Sequence, residues 1–186
     1  MADEPVVRGM EIDDLRNECS WVSREIRPPT NMSAATAIRD GDDWRRHLIE
    51  DAAGIRRVIE ETHRIAVLGI KIEESGAPAY FVPEYAQHAG FEIAPVPVYY
   101  PDVTEILGER VYRTVAAVPG AIDMVNVFRR SHKIPEHVDD IISKRPKSVW
   151  FQLGIRNDEA AERFARAGID VVQDRCLMVE LRHVGK

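Results

Sequence analysis

The chain has 186 residues, 45% of them apolar and 30% charged, with a formal net charge of −6. That length carries one domain with its own hydrophobic core, and the acidic balance excludes a general nucleic-acid binder, which needs a cationic face. No apolar run approaches the roughly 20 residues of a membrane helix, so no membrane association is expected.

The N-terminus, MADEPVVRGMEIDD, has neither the basic nor the apolar region of a signal peptide. Cys19 and Cys176 alone form no disulfide framework, and a reducing cytoplasm is the expected compartment. Residues 1–41 show no sustained period and include Pro28-Pro29 and Gly41; they read as an arm, partly ordered. The folded domain is expected over 42–186. It opens with a helix capped by Asp42 or Asp43 and ending near Thr62, because Trp44, Leu48, Ala52, Ile55 and Ile59 recur at helical spacing.

From there strands and helices alternate. IAVLG (65–69) is a continuous apolar run, as in a strand buried on both faces. A helix follows from Pro78 to Ala89, closed by Gly90. FEIAPVPV (91–98) and IDMVNVF (122–128) are the second and third strands. The helix at 134–144 starts with Pro135, a position that tolerates proline. SVWFQLG (148–154) is the fourth strand. The helix at 157–168 has Asn157 as cap and Gly168 as stop, and IDVVQD (169–174) is the fifth strand. The pattern predicts an α/β fold: a doubly wound, mostly parallel, five-stranded sheet with an N-terminal arm and helix.

In such sheets ligands bind beyond the carboxyl ends of the strands. Those ends supply Gly69, Ile70 and Lys71; Pro95, Val96 and Pro97; Phe128, Arg129 and Arg130; Gln152, Leu153 and Gly154; Asp174, Arg175 and Cys176. This edge gathers cations on an acidic chain, which points to an anionic ligand. Gly69 allows a tight turn, the next helix start favours phosphate, and Lys71 adds charge. The spacing G-x-G-x-x-G is missing, and the second strand ends in prolines rather than in an acid suited to a ribose 2′-hydroxyl, so NAD is disfavoured.

Arg129 and Arg130 suit phosphate oxygens, with a salt bridge to Glu136 as the plainer role. Cys176 reads as a packed thiol or, with Arg175 beside it, a reactive one. The six histidines have no metal-ligand spacing, so no metal is expected. No nucleophile elbow or catalytic triad is identifiable.

In their order and spacing, IAVLG, ILGERVY (106–112), IDMVNVFRRSHKIPEHV (122–138), VWFQLGIRNDEAAERFARAGIDVV (149–172) and DRCLMVE (174–180) resemble the CoA-binding domain family. These are small Rossmann-like proteins related to the nucleotide-binding part of the succinyl-CoA synthetase alpha subunit. The resemblance runs from about Asp43 to Leu181. It implies coenzyme A with its pyrophosphate on Gly69–Lys71 and its adenosine end beside Val96 and Pro97, while Phe128–Arg130 and Gln152–Gly154 line the remaining path. The chain departs from the family at Lys71, where a small hydroxyl residue is usual, in IEESGAPAY, and at Pro97, the place of an asparagine.

The expected function is binding of coenzyme A or an acyl-CoA without catalysis. The alternatives are a thiol-transfer enzyme using Cys176, a synthetase relative that works with a partner subunit, and a structural protein with a degenerate nucleotide site. Self-association is left open.

Overall fold

The computed structural model describes residues 43–186, so the arm expected over 1–41 lies outside the described residues. In chain order the regular elements are α1 (Ala52–Glu60), β1 (Arg64–Leu68), α2 (Pro78–His88), β2 (Glu92–Val96), β3 (Glu105–Ile106), β4 (Glu109–Arg110), β5 (Met124–Val127), α3 (Val138–Lys144), β6 (Ser148–Phe151), α4 (Asp158–Arg166), β7 (Asp170–Val172) and α5 (Leu177–His183). The main sheet has the order β2-β1-β5-β6-β7 with every neighbouring pair parallel. The sheet therefore winds outward in two directions from β1 and β5, as the alternating pattern predicts.

Alternation along the strands builds two cores. Ala66, Leu68, Val125, Val127, Val149 and Phe151 face α3 and α4. Ile65, Val67, Met124, Trp150 and Val172 face α1, α2 and α5, which contribute Ile55, Ile59, Val82, Ala86, Leu177 and Leu181. Burying a large aliphatic or aromatic side chain contributes about 1.5–3 kcal/mol, and Ile59, Trp150, Phe151 and Phe164 are fully enclosed. Among the described residues no helix is long and apolar enough to cross a membrane.

The first helix is shorter than its periodicity predicts. Asp43–His47 forms a 3-10 turn. Leu48 then leaves helical geometry to bridge Val171, and the Ile49 N–H donates to the Val171 carbonyl at 2.8 Å. Those two residues cover the otherwise open edge of β7, a need that outweighs local helix preference. His47 and Arg57 fasten the arrangement to the Asp170 carboxylate at 2.6 and 2.8 Å. The α-helix restarts only after Asp51, whose carboxylate accepts the Gly54 N–H at 2.8 Å, and Ala52 is exposed.

The segment from 134 also divides, into a 3-10 turn over Ser131–His137 and then α3. Asn157 caps α4 as expected, accepting from the Ala160 N–H at 2.8 Å. The hairpin β3–β4 and the last helix, α5, are additional to the expected elements; Leu107 and Gly108, both at positive φ, make the hairpin turn.

Asp123, just before β5, ties the start of β1 to the sheet. Its Oδ2 accepts the N–H groups of His63 and Arg64, each at 3.0 Å, and its Oδ1 meets Lys147 Nζ at 2.7 Å. Burial acts to raise this carboxyl, but Lys147 and the two N–H groups together hold it below its ordinary value. A depressed folded-state pKa contributes stability that is present above the unfolded value and is lost as pH falls through the folded one. Asp123→Asn should therefore cost about 1–3 kcal/mol at neutral pH in urea unfolding. The gap to the wild type should close as pH falls below about 3.9, the ordinary aspartate value; a gap that persists unchanged in acid would contradict this.

Candidate functional site

The direction in which successive strands are added reverses between β1 and β5, and the chain segments that leave the carboxyl ends of those parallel strands part there. Gly69 follows β1 at φ 86°, and its N–H donates to the Val96 carbonyl at 2.8 Å. A Cβ placed on it would come 2.6 Å from the Phe128 carbonyl oxygen and 3.2 Å from Arg129 Cδ. Glycine is thus required twice over, by its left-handed backbone and by the close passage of a second strand end.

The loop after Gly69 is fastened to α2 by an unusual bond. Pro83 lies inside α2 and has no N–H, so the Ala79 carbonyl loses its partner within the helix. The Lys71 N–H takes that acceptor at 3.1 Å. The Lys71 backbone N–H is thus engaged, and its ammonium is the donor that remains. The start of α2 faces the same space with small residues. Its N-cap is Ala77, which makes no side-chain capping bond; Pro78 follows, and the first turn holds no acid. The Ala77 N–H donates to Ser75 Oγ, Pro78 has no N–H, and the Tyr80 and Phe81 N–H groups donate to the Ala77 carbonyl, so what this helix end offers an anion is chiefly its dipole.

Lys71, Ala77, Pro78, Ala79, Phe128, Arg129, Arg130, Ser131, Gly154 and Ile155 together line a cleft of about 350 Å³. Three of these residues are cationic and none is acidic. Among the described residues no carboxylate forms a salt bridge with Lys71, Arg129 or Arg130. Glu136, the acid expected as the plainer partner of the arginines, pairs with Lys133 at 2.5 Å. Glu73 and Glu74 sit in a short 3-10 turn and border a separate depression beside Tyr80. Burial holds the Tyr80 phenol above its ordinary value, and Glu73 adds to the effect.

Arg129 is only 9% exposed. Its Nε donates to His137 Nε2 at 3.2 Å, and its side chain reaches the Tyr99 hydroxyl at 3.5 Å, with the guanidinium 5.8 Å from the Tyr99 ring centre. His137, Tyr99 and Pro97 line a second cleft of about 370 Å³ on the other side, together with Leu68, Arg113 and Asp140. Arg129 thus forms part of the wall between two hollows. Arg113 shapes the second by donating to the carbonyls of Tyr100, Pro101 and Val103 at 3.1, 2.7 and 2.6 Å.

The sequence-derived site residues therefore separate into groups. Lys71, Phe128, Arg129, Arg130 and Gly154 come together in one cleft, with Gly69 beneath them and Pro97 in the neighbouring one. Ile70 and Val96 are enclosed in the core and present no side chain to either. Gln152 is also buried; its amide donates to Asn126 Oδ1 at 2.9 Å and its carbonyl accepts the Leu177 N–H at 3.3 Å, so its polar atoms serve the interior. The Gly154 N–H donates to Asp174 Oδ1 at 2.6 Å, which pins the loop after β6. Cys176 is half-buried against the α5 side of the core and is not among the lining residues of the cationic cleft, while Arg175 pairs with Glu180 at 3.6 Å.

Sequence reasoning missed His137, Tyr99 and the small residues Ala77–Ala79. The last had a readable signal: three small side chains at a helix start that lacks a capping side chain.

A sequence profile described as CoA binding domain matches residues 63–182. The chain is 32% identical over 127 residues to the Bacillus subtilis protein YneT, covering 68% of this chain and 91% of that one. A solved structure from Thermus thermophilus is 33% identical with a TM-score of 0.66, over 73% of this chain and 99% of its own. One from Pyrococcus horikoshii is 30% identical with the same TM-score, over 72% and 92%.

The backbone contact at Gly69 has a direct consequence. Gly69→Ala should destabilise the fold by about 1–3 kcal/mol from the left-handed backbone alone, with more from the approach to Phe128. Thermal or urea unfolding measures it, and a loss below about 0.5 kcal/mol, the scatter of neutral surface changes, would show that β1 and β5 separate freely at this end.

Proposed function

Since the chain belongs to the CoA binding domain family, we propose that it binds coenzyme A or an acyl-CoA along the carboxyl edge of its sheet, as a binding module without a catalytic centre of its own. One observation carries the reading: Lys71, Arg129 and Arg130 line a single cleft with no acidic residue, on a chain whose net charge is −6. Uncompensated cations beside a helix start suit phosphate oxygens. The apolar lining from Phe128 and Ile155 suits the uncharged part of a long ligand.

In this arrangement Lys71 supplies a point charge and the two arginines supply forked donors. Gly69 and Gly154 keep the floor low enough for a phosphate to approach. Pro97 and Tyr99, around the second cleft, receive the adenosine end. Thiol chemistry at Cys176 has less support, because that residue stands outside the cationic lining.

The ligand assignment is tested by thermal shift. Coenzyme A should raise the melting temperature more than NAD or NADP at equal concentration, since stabilisation grows as RT ln(1 + [L]/Kd). A larger shift with NAD would overturn the assignment.

Calorimetric titration tests the lysine. A charge-assisted hydrogen bond contributes about 1.5–3 kcal/mol, so Lys71→Ala should weaken coenzyme A by about ten- to hundred-fold. Lys71→Glu should be worse, because it sets like charge beside phosphate. Equal affinities for wild type and both variants would mean that the Lys71 ammonium faces water in the complex.

A further inference from the structure

A buried arginine normally faces a carboxylate, because an unpaired charge in a low-dielectric setting is costly. Arg129 does not. Among the described residues its Nε–H is accepted by His137 Nε2 at 3.2 Å and its other side-chain hydrogen bond is to the Tyr99 hydroxyl at 3.5 Å, neither of them a carboxylate. For Nε2 to accept, the imidazole must be neutral with its proton on Nδ1.

The surroundings keep it so. His137 is flanked by Arg129 from the loop after β5, by Glu136 and Asp140 from its own chain segment, and by Tyr99 and Arg113 across the second cleft. Both acids are engaged elsewhere: Glu136 with Lys133, and Asp140 with the N–H groups of Val115 and Ala116 at 2.8 and 3.1 Å. Burial lowers the His137 pKa and Arg129 lowers it further, against weaker opposition from Glu136 and Asp140.

We infer that His137 is a positioning residue for the anion site: as a neutral acceptor it fixes the Arg129 guanidinium in place while leaving its positive charge for the ligand. The inference rests on the reading of the cleft as a phosphate-ligand site and adds to it a residue whose role is electrical restraint. A carboxylate at position 137 would hold the arginine at least as well, and it would cancel the charge that the ligand needs. The histidine orients without neutralising.

Three consequences distinguish this role from plain packing. His137→Gln retains a neutral acceptor and should leave coenzyme A affinity within about threefold of wild type. His137→Glu converts the pair into an ion pair; it should preserve or raise the melting temperature yet weaken coenzyme A by about tenfold or more. The third readout is the His137 imidazole itself, followed by NMR as a function of pH. Its midpoint should lie below the ordinary histidine value in the free protein. It should rise on saturation with coenzyme A, because phosphate beside Arg129 offsets the repulsion that disfavours protonation.

Wild-type affinity in a folded His137→Glu variant would overturn the inference, as would an imidazole midpoint that stays fixed when ligand is bound. Failure of coenzyme A to bind the wild type, with the free-protein midpoint still low and returning toward the ordinary value in Arg129→Gln, would overturn the ligand assignment alone and leave the Arg129–His137 pair standing.

Discussion

The carboxyl edge of the sheet depends on one backbone contact: the Cα of Gly69 passes so close to the Phe128 carbonyl that no side chain fits between them. β1 and β5 are neighbours in the sheet, yet the chain leaves them in opposite directions, toward α2 on one face and toward α3 on the other. A crevice opens where they part. Its floor is backbone because Gly69 has no Cβ. Its walls are what each strand delivers next: Lys71 from one and Phe128, Arg129 and Arg130 from the other. A bulkier residue at 69 would push these walls apart at their base, before any question of ligand chemistry arose.

The charge distribution then separates this crevice from the rest of the surface. Elsewhere several cations meet acids. Arg56 meets Glu60, Arg57 meets Asp170, Lys147 meets Asp123, Arg163 meets Asp139 and Arg166 meets Glu162. Most such exposed pairs contribute little to stability, but they show that acids are within reach of many basic side chains on this surface. What sets the cleft apart is that three such cations share one lining without an acid, and that Arg129 among them is buried. Folding accepts a buried guanidinium without a carboxylate salt bridge there, with Glu136 acting on it only at longer range, and a cost of that kind is retained most readily where a ligand relieves it.

Much of this was legible in the sequence, for reasons that differ by element. The strands stood out because burial on both faces demands unbroken apolar runs such as IAVLG and SVWF. The cap at Asn157 and the stop at Gly168 act within a few residues and so leave a local signature. The helix expected from Asp42 failed because the restraint on Leu48 and Ile49 comes from β7, more than a hundred residues away. The same division holds at the site. Lys71, Arg129 and Arg130 follow strand ends and could be placed by counting. Ile70, Val96 and Gln152 also follow or complete strands, but strand alternation and the packing of α5 turn them inward, which counting does not reveal. His137 was unreadable because its role depends on a single contact across eight residues and a change of helix type.

Pro83 has a bearing on how a ligand is received. By vacating the Ala79 carbonyl it gives the loop after β1 an anchor inside a helix, and the Lys71 N–H uses it. A loop free to wander would surrender conformational entropy at the moment of association, at roughly 1–2 kcal/mol for each backbone residue fixed. Here that ordering is accomplished during folding. The loop and α2 are joined without a ligand, so in the proposed coenzyme A complex the free energy of contact would go into affinity rather than into arranging the receptor. The helix-breaking residue is thus a means of preorganisation: a missing hydrogen bond in one element becomes rigidity in the next.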